Sequence, residues 1–97
     1  MELAHFDVVE KFARKHARAR SSLIMWRDAS IAAKWKNFDE VKKTFRADDL
    51  YGDCVIFDIG GNNYRLIAEI NYEYELVSIR GVMIHAEYDK NKWKKNC

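Results

Sequence analysis

The sequence has no proline and only four glycines among its 97 residues. A flexible linker has no compositional home, so one domain over residues 1–97 is expected. Cysteine is scarce: Cys54 opens an apolar run and Cys97 is the final residue. Two such thiols do not suggest a disulfide framework, and without matching Cys or His spacing they do not make a zinc site. No apolar run approaches the roughly 18 residues of a membrane span. "MELAHFDVVEKF" lacks the basic-then-apolar order of a secretory signal. The expectation is a cytoplasmic protein with no membrane contact. Neither charge sign dominates. The net charge is +2 with histidines neutral, which alone is weak ground for nucleic-acid binding.

What is present suits a folded chain. Hydrophobic residues make up 48% and charged residues 33%, a globular balance and not a disordered one. The charge is unevenly placed. "KFARKHARAR" (11–20) and "KNKWKK" (90–95) are basic, while Glu69, Glu73 and Glu75 put negative charge between them. Each basic run reads first as a solvated helix face or tail.

Residues 2–5 allow a short strand. From Asp7, a candidate N-cap, Val9, Phe12, Ala13 and His16 recur at helical spacing. A second helix fits 18–33. Leu23, Trp26, Ser30 and Ala33 form one stripe and Ile24, Asp28 and Ile31 another, so a wide buried face is expected. "WKNFDEVKKTF" (35–45) reads as a short connecting helix anchored by Phe38, Val41 and Phe45. The period then changes. "CVIFDI" (54–59) puts Val55, Phe57 and Ile59 on one face of a strand, and "GGNN" (60–63) signals a reversal because Gly and Asn tolerate positive φ. Residues 64–73 alternate Tyr64, Leu66, Ala68, Ile70 and Tyr72 against Arg65, Ile67, Glu69, Asn71 and Glu73. "LVSIRGVMI" (76–84) is a third strand, and 85–93 close the chain as a helical turn. The class is α+β: N-terminal helices packed on one face of a mainly antiparallel sheet. The other face is expected to stay partly open, with Arg65 and Glu69 on it.

Two arginines then matter. If Val77, Ile79 and Met83 face the helices, Ser78, Arg80 and Val82 join Arg65 on the open side, unless a bulge at Gly81 spoils the parity. Guanidinium is always charged and can grip phosphate through two parallel hydrogen bonds. The plainer alternative is that both arginines pair with Glu69 or Glu73. His85 and Tyr88 follow the third strand directly. Histidine titrates near neutrality and can move a proton, and a phenol can donate one. Metal-free RNA cleavage needs these groups. The 2′-hydroxyl attacks phosphorus, its proton must go somewhere, the leaving 5′-oxygen must gain one, and cations must hold the added charge on the phosphorane. Arg65 and Arg80 fit the charge role, His85 and Tyr88 the proton transfers. His5 and His16 lie on N-terminal segments, away from this set. No carboxylate cluster suits Mg²⁺ and no His/Cys set suits zinc, so no metal or cofactor is expected.

The ordered motifs "VIFDIGGN", "YRLIA", "IR" and "IHAEYD", with the Trp35, Phe38, Val41, Lys42, Thr44 and Phe45 element before them, resemble the HigB family of bacterial type II toxins within the RelE/ParE-like superfamily. Asp58 stands where that family often has Asn, Asn63 where it often has Lys, and Ile84 where it often has Thr. The resemblance implies a RelE-like small domain and a metal-independent endoribonuclease, an mRNA interferase acting on translated mRNA at the ribosome. It implies a HigA-type helix-turn-helix antitoxin, through which the complex binds operator DNA. It matches Arg65 to a phosphate-contacting arginine, and His85 and Tyr88 to the C-terminal part of the site. Arg80, Lys36, Lys90 and Lys92 are the looser RNA contacts. A non-catalytic member that binds RNA or a partner protein, as gyrase-poisoning relatives do, is the alternative.

Overall fold

The structure is a computed structural model, and it describes residues 1–45 and 49–97. The alternating runs form the strands they suggest: β1 (Glu2–Ala4), β2 (Asp49–Tyr51), β3 (Cys54–Ile59), β4 (Tyr64–Asn71) and β5 (Leu76–Ile84). They make one sheet in the order β1-β5-β4-β3-β2, antiparallel except where β1 runs parallel to β5. The helices are α1 (Asp7–Lys15), α2 (Arg20–Ala32), α3 (Phe38–Thr44) and α4 (His85–Asp89).

Periodicity explains the main core. Val55, Phe57 and Ile59 of β3, Leu66 and Ala68 of β4, and Val77 and Ile79 of β5 meet Val9, Leu23, Trp26 and Val41 from the helices. Burying such side chains stabilises the fold by roughly 1.5–3 kcal/mol each. Trp26 and Phe57 meet edge to face at 5.3 Å, and Trp35 lies over Phe57 at 6.4 Å. The Met1 nitrogen donates to the Ser30, Ile31 and Ala33 carbonyls at 3.1, 3.1 and 2.6 Å, which satisfies the end of α2 and seats β1 beside it.

Several expectations are corrected. Asp7 does not cap α1; Phe6 occupies that position without a side-chain bond, and Asp7 is the first helical residue. There its carboxylate still favours the positive end of the helix. The buried face of α2 is narrow. Leu23, Trp26 and Ser30 are buried, but Ile24 is 37% and Ile31 55% exposed, Ile24 bordering a shallow cleft between α1 and α2. β4 ends at Asn71, whose Oδ1 accepts a hydrogen bond from the Tyr74 backbone N–H at 3.0 Å, and Glu75 completes the turn at φ +54°.

The parity of β5 reverses. Ala68 pairs with Ile79 while its neighbour Ile67 pairs with Gly81, so Arg80 is an extra residue in the ladder. An extra residue shifts the following side chains to the opposite faces. Val82 therefore packs on the helix side and Met83 on the other, the reverse of the regular reading.

The second face is not open. Residues 85–97 fold back over it, and Trp93 seals Ile56, Ile67 and Cys54 beneath its ring. The same fold-back brings Cys97 to Cys54, and the two form a disulfide with Cα atoms 5.6 Å apart across a separation of 43 residues. That pairing overturns the expectation of two unrelated thiols.

Candidate active site

Arg65 is set by the hairpin. The GGNN turn places Gly60 and Gly61 at φ +61° and +68°, which a glycine adopts without strain. Ile59 and Tyr64 then pair across the turn, and Asp58 stands opposite Arg65. The arginine does not project into solvent; it is only 7% exposed. Its Nε lies 2.9 Å from Asp58 Oδ1. Its Nη1 donates to the Tyr64 carbonyl at 3.0 Å, and its Nη2 makes a short hydrogen bond to Asn62 Oδ1. Three of the five guanidinium N–H groups thus face partners within the protein, two in hydrogen bonds and Nε in the ion pair with Asp58. The Tyr88 ring lies over the cation, 5.1 Å from its central carbon. Contacts of this kind contribute about 0.5–2 kcal/mol. Asp58, noted above for its sequence position, thus faces the same side as Arg65.

Tyr88 is held from behind. It stacks on Trp93 at 5.1 Å with the rings 8° from parallel, and Trp93 Nε1 donates to the Tyr88 carbonyl at 2.9 Å. His85 opens α4, and its backbone N–H donates to the Asn63 carbonyl at 3.1 Å, tying the helix start to the hairpin turn. The imidazole lies 6.2 Å from the Tyr88 ring, and its Nδ1 is 2.9 Å from Asp89 Oδ2, one helical turn on. That contact orients the ring, and among the described residues no partner meets Nε2. The structure therefore brings together Arg65, Tyr88 and His85, with Asp58, Asn62 and Asp89 as their supports.

The other candidates sit elsewhere. Arg80 shares this face, but Ile67 separates it from Arg65 along β4, and it pairs with Glu69 at 2.5 Å. It borders a cleft of about 230 Å³ whose floor includes Ile67, Met83 and Trp93 and whose rim includes Glu87 and Lys92. Lys90 pairs with Glu87 at 3.1 Å. Lys36 is exposed on the segment before α3, next to Trp35 of the helix-side core. His16 stacks on Phe12 at 4.3 Å, within the helix side.

The structure groups Arg65, His85 and Tyr88 but leaves Arg80, expected beside them, paired with Glu69; the groups that support the three were missed. The Asp58–Arg65 pair could have been counted outward from the turn, and the His85–Asp89 spacing is that of neighbours on a helix. Nothing in "KNKWKK" signalled that Trp93 would be the platform for Tyr88.

Residues 19–91 match a family described as HigB_toxin, RelE-like toxic component of a toxin-antitoxin system. Among similar proteins are the mRNA interferase toxin HigB of Escherichia coli (strain K12) and the mRNA interferase HigB of Shigella flexneri. Each is 26% identical over 92 residues, covering 92% of this chain and 88% of the relative. The mRNA interferase HigB of Escherichia coli O6:H1 is 46% identical over a shorter stretch of 35 residues, 36% of this chain and 34% of that protein.

Proposed function

Because the chain belongs to the HigB family of RelE-like toxins, we propose that it is an endoribonuclease that cleaves mRNA. The substrate is mRNA on translating ribosomes, and a HigA-type helix-turn-helix antitoxin neutralises the enzyme and carries the complex to operator DNA. The observation that supports this reading is the buried Arg65 guanidinium with a phenol above it and an imidazole alongside.

Arg65 binds the scissile phosphate through its remaining N–H groups. Its neighbours hold the charge in place, so little reorganisation is needed as the phosphorane forms. The attacking 2′-hydroxyl and the leaving 5′-oxygen exchange protons with Tyr88 and His85. Each positioned group contributes about 10²–10⁴-fold. The products are a 2′,3′-cyclic phosphate and a 5′-hydroxyl. Arg80 and Lys92 bind the RNA backbone further along the same face, beyond Ile67, with Lys90, paired to Glu87, at its rim; Lys36, beside the helix-side core, lies off this path.

The test is cleavage of RNA by the purified protein in a chelator, with primer extension on mRNA after induction, with and without translation. Arg65→Ala abolishes cleavage and growth arrest while the domain stays folded. His85→Gln and Tyr88→Phe lower cleavage by about 10²-fold or more with RNA binding retained. Unchanged growth arrest by Arg65→Ala at equal abundance defeats the assignment of Arg65. Unchanged toxicity in both of the other variants favours a protein that only binds its target.

A further inference from the structure

The disulfide lies at the opposite end of the C-terminal cover from Arg65. Cys54 begins β3, where it pairs with Glu69, whereas Asp58 and Arg65 lie at the hairpin end of the same two strands. Between these ends run Tyr88 over Arg65 and Trp93 over Ile56 and Ile67. We propose that Cys54 and Cys97 are a thiol–disulfide modification site, reduced by small thiols and re-oxidised by small disulfides, whose state sets how firmly residues 85–97 hold Tyr88 and His85 at Arg65. The effect on catalysis rests on the ribonuclease reading; the effect on the cover does not.

Two further features show that the cover is fitted to this end of the sheet. Gly52, in the turn between β2 and β3, has φ +56°, and a Cβ there would stand 2.8 Å from the Cys97 carbonyl oxygen. Only a glycine allows that approach without displacement. Lys94 lies 4.8 Å from the Tyr51 ring, which meets Trp93 edge-on at 5.4 Å. The cross-link therefore closes over a seat shaped for it.

The exchange is directional. Cys54 is fully buried and Cys97 partly exposed, so a thiolate attacks the Cys97 sulfur. The bond to Cys54 breaks as the new S–S bond forms, and Cys54 leaves as a thiolate and takes a proton. A second thiolate then attacks the reagent sulfur of the mixed disulfide and releases Cys97, which is protonated in turn. Two electrons have passed from two small thiols to the cysteine pair, and one small disulfide is formed. An enzyme acting on cellular mRNA meets such thiols, and disulfides in that setting are characteristically transient. Once the bond opens, a covalent restraint spanning 43 residues is gone, and the cover depends on the packing of Trp93.

The test compares the full chain oxidised and reduced with dithiothreitol, alongside Cys54→Ser and Cys97→Ser. Hydrogen exchange is followed segment by segment, and cleavage by kcat and KM. Reduction is expected to speed exchange in residues 85–97 by about tenfold or more while β3 and β4 stay protected. It lowers kcat several-fold and leaves KM nearly unchanged. Both serine variants behave as the reduced protein whether or not dithiothreitol is present. Identical exchange in the two redox states overturns the proposal, whatever the activity. Faster exchange with no cleavage in either state upholds the latch and counts against the ribonuclease reading.

Discussion

Arg65 carries an acidic partner that shapes what it can do. Asp58 sits 2.9 Å from Nε, and the pair is mostly shielded, with the arginine side chain 8% and the aspartate 26% exposed. A carboxylate so placed does two opposed things. It fixes the guanidinium, and it offsets the charge that a phosphate would meet. Asp58→Asn separates these effects, because a polar oxygen of the same shape stays beside Nε while the negative charge is gone. Stability should fall by about 1–3 kcal/mol, since a mostly buried cation loses its charged partner but keeps a polar one. In a domain of this size that lowers Tm by roughly 4–8 °C per kcal/mol. RNA affinity should rise several-fold, since more of the guanidinium charge reaches the substrate. Thermal denaturation and KM measured on the same preparation check both signs. A variant that binds RNA more weakly would show that fixing Arg65 outweighs freeing its charge. The arginine and its partner were both visible in the sequence. What makes them a site is the register of one hairpin, and that follows from where GGNN turns the chain.

At the scale of elements, strands and helices were legible wherever a period persisted. β3, β4 and the buried stripe of α2 lie where alternation and helical spacing put them. Two features had no period to read. The bulge at Arg80 adds one residue, and which partner a strand skips depends on its neighbour and not on its own pattern. The C-terminal cover is five residues of helix, then Asn91 at φ +61°, then a short 3₁₀ segment carrying Trp93, too brief for a periodic signal. Its apolar content is concentrated in Trp93 and Tyr88, which stack on each other. Trp93→Leu keeps a large apolar side chain over Ile56 and Ile67 but removes both the ring stack and the Nε1 bond to the Tyr88 carbonyl. The expected cost is about 1–3 kcal/mol of stability. Cleavage should fall further than stability suggests, by about ten- to a hundredfold, since a small misplacement of a reacting group has effects of that size. Trp93→Phe, which keeps an aromatic platform, should recover most of the rate. Equal losses in the two variants would mean that the platform acts through bulk alone.

Over the whole molecule, the sheet divides the cations into two populations. α1, the turn after it and the start of α2, with Arg14, Arg18 and Arg20, lie on the helix side, where Val9, Phe12 and Ala13 join the main core. Lys92 and Lys95 lie on the other side, lining the cleft beside Trp93 and Arg80. The sequence showed two basic runs at its ends, and only the topology puts them on opposite faces. The disulfide and the covered second face escaped notice for the same reason. They are contacts between segments far apart in the chain, and composition carries no record of them. The net charge of +2 is therefore a poor guide to the field an RNA meets. A phosphate bound at Arg65, as proposed, would meet the face that carries the C-terminal lysines and not the face that carries Arg14 and Arg18. Each phosphate contact with a single strand contributes about 0.7 to the slope of log affinity against log salt. Lys92→Ala and Lys95→Ala should each reduce that slope by an amount of this order and weaken binding across RNA sequences alike. Arg14→Ala and Arg18→Ala should leave both affinity and slope unchanged. Binding isotherms over a range of salt concentrations decide it. A slope that falls on neutralising α1 would mean that the RNA path crosses the edge of the sheet and engages the helix side as well.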